Sequence, residues 1–504
     1  MIKTLFSRLF LLARPTWTER HFTSILIVSV LLFGGMSLAV GMAQSIWFDE
    51  AYSIMLAKQD VGQLLHLTAM DTHPPLYYLL LKGWAGMFGW SELALRSFSV
   101  LAASGAVMVA GLLVKRLFGV RTALVVLTFI VFAPFLLRYG FEIRMYALAS
   151  LIGMAATYVL TTALQAKDRR QWALYATYAV LVALGVYTLY YTVLLWTAHL
   201  AWLIWVTYRE RKSLLKAPWL LAFVGSVVLF LPWLPTFMGQ ISNGALAPIS
   251  QAMTLENLMG IISFGFVYQP VWQLSAMTSL LVLFVIGAIV YFVIQAFKKV
   301  SRDERKYLVL LALYILVPVA ILTVVGLARP MYVERYLAHV LIGGMLLIGV
   351  SVAIVTKKAM PTVRALATLT FVILLVGVAH LTEVGNFNYQ RLQKPQVDKV
   401  AAQLASCKDG ATILAADPYV AIELAAYVSD CDVRFYSETA ELRGGYAPLS
   451  ESPLRIGTPT IDLANSEKVF YVYYDQPVLQ MPVNMIETSR QSFGAMTVAT
   501  FNAG

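Results

Sequence analysis

Residues 47–78 read WFDEAYSIMLAKQDVGQLLHLTAMDTHPPLYY. The stretch follows the first long apolar run of the chain and is itself too polar to cross a membrane. It gathers Asp49, Glu50, Asp60, His66, Asp71 and His73 in a chain whose overall balance is basic. Asp49 and Glu50 follow two large aromatics, Trp47 and Phe48, which favours a place where membrane meets water. A carboxylate held there against apolar surface can have its proton affinity tuned for base chemistry. The alternative is a hydrated loop whose acids cap short helices, and spacing alone does not decide between the two.

Working outward, a 59% hydrophobic composition and a mean hydropathy of +0.72 exclude an ordinary soluble protein of 504 residues. Several apolar runs of roughly 18 residues or more are long enough to cross a bilayer as helices. The fold class is a polytopic α-helical membrane protein. A net charge of +11 does not point to nucleic acid, because Lys and Arg lie between the apolar runs and not on one basic face. The N-terminal arm carries Lys3, Arg8, Arg14 and Arg20. An apolar run follows that is too long for a signal h-region and lacks a clear small-residue cleavage site, so a retained signal-anchor is expected.

About eleven spans are predicted. They are roughly Phe22–Met42, Glu92–Leu117, Thr122–Leu137, Phe141 to Lys167, Trp172–Tyr187 and a sixth ending at Arg209. The remainder run to Pro232–Pro235, to Lys298, to Arg329, over Tyr332–Lys357 and over Arg364–His380. LYYLLLKGWAGMFGW, after His73-Pro74-Pro75, contains Lys82 among aromatics and reads as a short interfacial helix bounded by Pro and Gly. Every second connection is rich in Lys and Arg and shares a side with the N-terminal arm, which the positive-inside rule assigns to the cytoplasm. The loop 44–91, the Arg138 and Tyr190 turns, the Gly239–Pro270 loop and the Arg329–Arg335 turn then fall on the extracytoplasmic face. An odd number of spans puts the C-terminal tail there too.

From about Thr382 the composition changes, with Asn386, Asn388, Gln390 and Gln393 opening the tail. The short runs ATILAA, VRFYS and VFYVYY are interleaved with helix-like stretches near Val397–Ser406 and Tyr419–Tyr427, which predicts a small α/β domain. The expected division is a membrane domain over 1–381 and an extracytoplasmic domain over 382–504. On the outer face Cys407 and Cys431 could form a disulfide closing a loop of about 24 residues, worth about 3 kcal/mol in the chain-entropy model. The alternative is two buried free thiols.

Ionisable groups in or beside spans mark function unless they serve only to pair one another. On the outer face these are Asp49, Glu50, Asp71, His73, Arg138, Glu142, Arg144, Glu334 and Arg335. In RYGFEIRMYAL, residues 138–148, Glu142 and Tyr146 stand one helical turn apart, with Arg144 pointing elsewhere. Arg335 sits one turn into the tenth predicted span, behind Tyr332 and Glu334. Arginines at that depth call for an anion, and phosphate matches the guanidinium fork. The alternative pairs Arg144 with Glu142 or another acid as a fold-fixing bridge. Carboxylates suited to deprotonating a hydroxyl, with arginines suited to a phosphate at the membrane edge, fit a polyprenyl-phosphate sugar.

WFDEAYS, THPPLYYLLLKGWAGMFG, SELALRSFSVLA, RYGFEIRMYAL and YVERYL, in that order, resemble bacterial members of the protein-mannosyltransferase and aminoarabinose-transferase group of the GT-C superfamily. The resemblance extends to about Val355, is densest over Trp47–Ala149, and does not include the tail beyond Thr382. It implies GT-C architecture and an inverting transfer of sugar from a polyprenyl-phosphate donor on the extracytoplasmic side of the plasma or inner membrane. Asp49 matches the group's essential acid and would be the general base toward an acceptor hydroxyl on a protein, glycolipid or cell-envelope glycan. Glu50 would support it, bind the acceptor or help hold a metal. His73, Pro74 and Tyr77 belong to the stretch that would shape the donor and acceptor cavity. Arg138, Arg144 and Arg335 would stabilise the departing phosphate, with Glu142, Tyr146, Tyr332 and Glu334 around them. Tyr190 and Tyr191 stand where many relatives have His-Tyr. A divalent cation is not demanded: Glu50, His66, Asp71 and His73 are available ligands without tight spacing. A transporter or flippase of lipid-linked sugars is the competing reading. Transporters place polar groups near the midplane and repeat their halves, whereas no repeat occurs here and most charges gather at one face.

Overall fold

The computed structural model describes residues 15–242, 252–269, 271, 274–357, 359–384, 396–404, 407, 411–428, 431–436, 442, 444–452, 454–456, 463, 466–477, 479 and 481–504. Outside them lie Lys3, Arg8 and Arg14 of the basic arm, Asn386, Asn388, Gln390 and Gln393 of the tail, and residues 243–251 and 270 of the long loop.

Helix α1 spans Pro15–Met42, and the acidic stretch then folds as α2 (Phe48–Lys58) and α3 (Val61–Met70). Asp60 separates the two by capping α3, its side chain accepting from the Gln63 N–H at 3.0 Å. The Pro74-Pro75 pair disfavours helical backbone before it, so α4 starts afresh at Leu76 and runs to Phe88. Lys82 on α4 donates to the Gln59 carbonyl at 2.7 Å, closing the C-terminal end of α2. The apolar helices follow as α5 (Glu92–Phe118), α6 (Val120–Val131), α7 (Pro134–Phe141), α8 (Tyr146–Ala163), α9 (Asp168–Thr188) and α10 (Thr192–Arg209). After them come α11 (Pro218–Phe230), α12 (Leu234–Ser242), α13 (Leu255–Phe266), α14 (Ala276–Lys299), α15 (Arg302–Gly326), α16 (Ala338–Thr356) and α17 (Pro361–Val384).

Among the described residues 8 helices are long and apolar enough to cross a membrane, or 9 if the bent pair α6–α7 is one span. This is a multi-pass membrane protein. The other two of the eleven predicted spans are α9 and α10, which are helical but fall short of that apolarity. They carry Tyr175, Tyr178, Trp202 and His199 among their apolar residues. The third predicted span is not one helix, because α6 and α7 meet at an angle of 65°. Pro134, the first residue of α7, has no N–H to donate back and its ring crowds the preceding turn. The fourth span starts later than predicted. Residues 142–145 are not helical, and α8 begins at Tyr146.

Contacts divide the chain into two compact units, one of residues 1–40, 99–232 and 249–383, the other of residues 41–98, 233–248 and 384–504. In the first, α16 packs against α6, α8, α14 and α15 and is buried over most of its length. It is apolar on all sides, as an interior helix must be. A Cβ added at Gly343 would lie 2.1 Å from the Tyr314 ring, so glycine sets the close approach of α15 and α16. His199 is satisfied inside this unit by Thr157 at 3.1 Å on Nε2 and Tyr178 at 3.0 Å on Nδ1.

In the second unit α18 (Val397–Leu404) leads to β1 (Thr412–Ala415), α19 (Pro418–Tyr427), β2 (Asp432–Tyr436), β3 (Arg455–Ile456), β4 (Lys468–Tyr474), β5 (Met485–Phe493) and β6 (Met496–Ala503). The sheet order is β3-β2-β1-β4-β6-β5, parallel from β3 to β4 and antiparallel at β6 and β5. This is the α/β domain read from the sequence. Alternation decides its faces: Ile413 and Ala415 pack with Val400, Leu404, Val420 and Leu424 of the helices, while Leu414 packs with Val469 and Tyr471 on the other side. The β5–β6 hairpin lies outside the runs ATILAA, VRFYS and VFYVYY that predict strands. Its two-residue loop starts at Gly494 with φ +60°, the conformation a Gly-first hairpin turn requires. Cys407 and Cys431 are joined by a disulfide, with Cα atoms 5.9 Å apart. Helix α2 packs against α19 within this same unit.

Candidate active site

In the second unit Asp49 and Glu50 occupy the first turn of α2, behind the N-cap Trp47. Exposed N–H groups and the helix dipole favour carboxylates there. Glu50 Oε2 accepts from the Trp47 N–H at 3.4 Å, half of a capping box. The same carboxylate meets the Arg96 guanidinium, Nη2 to Oε2 at 3.0 Å and Nε to Oε1 at 3.3 Å, with both side chains fully buried. Arg96 also donates to the carbonyls of Gly41, Gln44 (3.0 Å) and Ser45 (3.3 Å), and pairs with Glu92 one turn earlier. One cation thus ties the chain entering α2 to the second acid of the pair. Asp49 lies about 100° around the helix from Glu50 and keeps 8% of its surface exposed.

Asp71, His73, Pro74 and Tyr77 are buried at the end of α3 and the start of α4. Gln240 of α12 fixes this turn by donating to Thr68 O at 2.9 Å and Asp71 O at 2.7 Å. His66 faces elsewhere, pairing with Glu451 at 3.1 Å on the surface. Among the described residues no group of three or more His, Cys, Asp or Glu is arranged to hold a metal ion, so Glu50, His66, Asp71 and His73 do not form such a set.

In the first unit Arg138 of α7 bonds Glu142 at 2.9 Å, both buried. The expected helical stacking of Glu142 over Tyr146 does not occur. Glu142 is the C-cap of α7 in extended backbone, so its partner lies one turn back and not one turn ahead. Arg138 also lies over the Tyr139 and Phe141 rings at 5.1 and 5.3 Å and donates to the Tyr268 hydroxyl. Arg144 is buried in the link between α7 and α8, its backbone N–H donating to Glu142 O at 2.6 Å. Arg335 lies on the 3-10 turn Glu334–Leu337 that opens the apolar span Glu334–Thr356, 5.7 Å over the Tyr336 ring. Glu334 is buried within electrostatic reach of Arg335 and Arg138, and its two oxygens have no hydrogen-bond partner among the described residues. Tyr332, just outside the turn, is held above the usual phenol range by burial, with Glu334 adding to the effect.

Aromatic rings connect these groups. Tyr146 meets Tyr139 edge-on at 5.3 Å and Tyr336 at 6.2 Å, and Tyr336 meets Tyr191 at 4.9 Å. Tyr191 donates to Met331 O, tying the turn before α10 to the Glu334 segment. Tyr190 turns instead to Phe230 at 6.5 Å.

Three residues here were not singled out from the sequence. Arg96 carried a readable signal, an arginine one turn into a predicted span and four residues after Glu92. Tyr268 and Gln240 carried none. Tyr268 adopts φ +53°, left-handed backbone that a bulky residue rarely takes. Burial raises its phenol, Arg138 opposes this, and Glu334 and Glu142 reinforce it.

Residues 72–235 match the family model of dolichyl-phosphate-mannose-protein mannosyltransferases. No curated protein matches the chain significantly by sequence. ArnT from Cupriavidus metallidurans superposes with a TM-score of 0.59 in its apo state, at 13% identity over 96% of this chain and 98% of that one. With undecaprenyl phosphate bound, ArnT gives 0.60 at 14% identity over 95% and 98%. The fold is the GT-C fold. An Archaeoglobus fulgidus oligosaccharyltransferase tethered to an acceptor peptide shares the GT-C fold at lower coverage, with a TM-score of 0.53 and 13% identity over 82% of this chain and 64% of that one. The family match begins one residue before His73 and includes the Arg138–Tyr146 stretch of the GT-C fold.

Proposed function

We propose that the protein is an integral membrane glycosyltransferase. It transfers mannose or another hexose or pentose from a polyprenyl-phosphate donor to a hydroxyl of an extracytoplasmic protein, glycolipid or cell-envelope glycan. Asp49 takes the proton of the acceptor hydroxyl, whose oxygen attacks the anomeric carbon as the bond to the donor phosphate breaks. The configuration inverts, and polyprenyl phosphate leaves with the electron pair. Arg138, Arg144 and Arg335 supply the positive charge that favours its departure, and Glu142, Tyr146, Tyr191, Tyr332 and Glu334 orient them. His73, Pro74 and Tyr77 shape the donor and acceptor cavity. The loop 44–91 and the domain 382–504 face outward, and the N-terminus is cytoplasmic.

The reading is supported by the fold shared with ArnT, which binds undecaprenyl phosphate, and by the mannosyltransferase family match. The observation that carries it is the division within the acidic pair. Glu50 is sealed against Arg96 at 0% exposure, while Asp49 stands one residue earlier in the same N-terminal turn, buried at 8%.

The test compares wild type with Asp49→Asn, using radiolabelled polyprenyl-phosphate mannose, further polyprenyl-phosphate hexoses and pentoses, and membrane extract as acceptor. Transfer should fall about 10²–10⁴-fold in the variant, the usual range for a general base, with donor binding retained. Transfer at the wild-type rate would remove Asp49 from this role. Donor binding without transfer by either protein would shift the reading to transport.

A further inference from the structure

The entry to α2 is held at three points by the C-terminal α/β fold. The Ile46 N–H donates to the Tyr427 hydroxyl at 2.7 Å. Ser45 Oγ donates to the Asp398 carboxylate, and the Phe48 ring packs 4.4 Å from that of Tyr419. Tyr427 and Tyr419 lie on α19, Asp398 on α18. All of these residues, with Asp49, Glu50 and Arg96, belong to one compact unit. Tyr427 is also within electrostatic reach of Glu92, Arg96 and Glu50, and Asp398 of Glu92, so the tail lies within the field of the buried ion network.

A helix is a rigid body over its first turns, so whatever fixes residues 45–48 fixes the direction in which Asp49 leaves α2. Trp47 gives α2 no side-chain cap bond, and the immediate backbone ahead of it is anchored from outside the loop. Ile46 is itself buried, so its N–H needs that phenol oxygen.

We propose that Tyr427 is a positioning residue for Asp49, and that the C-terminal domain, with Asp398 and Tyr419, aims the acidic loop. The proposal rests on the reading of Asp49 as general base. Catalytic geometry tolerates little displacement, so a loosened loop shows in turnover before it shows in donor binding.

The experiment uses the full-length protein in detergent with the polyprenyl-phosphate sugar that supports transfer, beginning with the mannose donor. Tyr427→Phe keeps the ring and removes the acceptor oxygen. It should lower kcat about tenfold with donor KM within about twofold, and hydrogen exchange should rise at amides 46–53 but not in β1 or β4. In the background of Asp49→Glu, where the carboxylate is already displaced, Tyr427→Phe should have much less effect. Wild-type kcat in Tyr427→Phe would overturn the proposal, and so would equal losses in both backgrounds or unchanged exchange at 46–53. Should Tyr427→Phe fail to fold, Ser45→Ala removes only the Asp398 contact and is read against the same outcomes. Exchange needs no substrate, so the anchoring is tested even if no donor is found. If Asp49→Asn alone leaves transfer intact, the functional reading fails while the exchange result still judges the anchoring.

Discussion

The Arg96 guanidinium grips the Glu50 carboxylate through two hydrogen bonds, at 3.0 and 3.3 Å, with no solvent reaching either side chain. The pair also closes the mouth of α2, because Arg96 binds three carbonyls of the segment leading into it.

Breaking that pair from one side should therefore be severe. Arg96→Met leaves Glu50 buried and uncompensated, and is expected to cost about 3–5 kcal/mol. Adding Glu50→Leu removes the stranded charge and should recover part of the loss. Thermal unfolding of the two variants beside wild type in detergent measures this, and a double variant no better than Arg96→Met would contradict it.

The arginines of the first unit should separate by role. Arg138 is bound to Glu142 and Tyr268, so Arg138→Ala should lower stability and donor affinity together. Arg335 stands over Tyr336 on a short turn, and Arg335→Ala should weaken donor binding by about 1.5–3 kcal/mol, about 10- to 150-fold, with little change in unfolding temperature. Normal donor binding by Arg335→Ala would remove it from phosphate recognition.

The Cys407–Cys431 bond closes a sequence separation of 24 residues. Replacing both by alanine should destabilise the α/β fold by about 2–4 kcal/mol. The check is a thermal melt with and without reductant: wild type should shift down in reductant and the double variant should not. A wild-type melt indifferent to reductant would argue against a stabilising role.

Gly343→Leu forces a side chain into the Tyr314 ring, where even a Cβ would stand at 2.1 Å. Overpacking of this kind costs about 1–3 kcal/mol or more. Loss of monodispersity or a lowered melting temperature is expected, and an unaffected variant would mean that α15 and α16 separate easily.

Apolarity was the legible part, because a bilayer demands it over a fixed length whatever the fold around it. Composition could not show that the run 122–137 breaks at Pro134, since proline is tolerated within many spans. That break also defeated the helical spacing of Glu142 and Tyr146, which holds only along one continuous helix. Arg96 was legible by the rule that singled out Arg335, yet it stood inside a motif valued for its resemblance alone. The anchoring of Ile46 by Tyr427 left no local trace, because a phenol oxygen bonding a backbone N–H asks nothing of neighbouring residues. The tail betrayed its strands through β-branched and aromatic runs, while the polar β5 gave no such sign.

The bond between Ile46 and Tyr427 joins positions 381 residues apart. A ribosome adding about 5–20 residues per second reaches Tyr427 roughly 20 to 80 s after Ile46. During that interval the acidic loop exists without its anchor, and the spans between them are made and inserted first. The geometry around Asp49 is thus among the last features of the molecule to be completed, and a nascent chain does not carry the finished site.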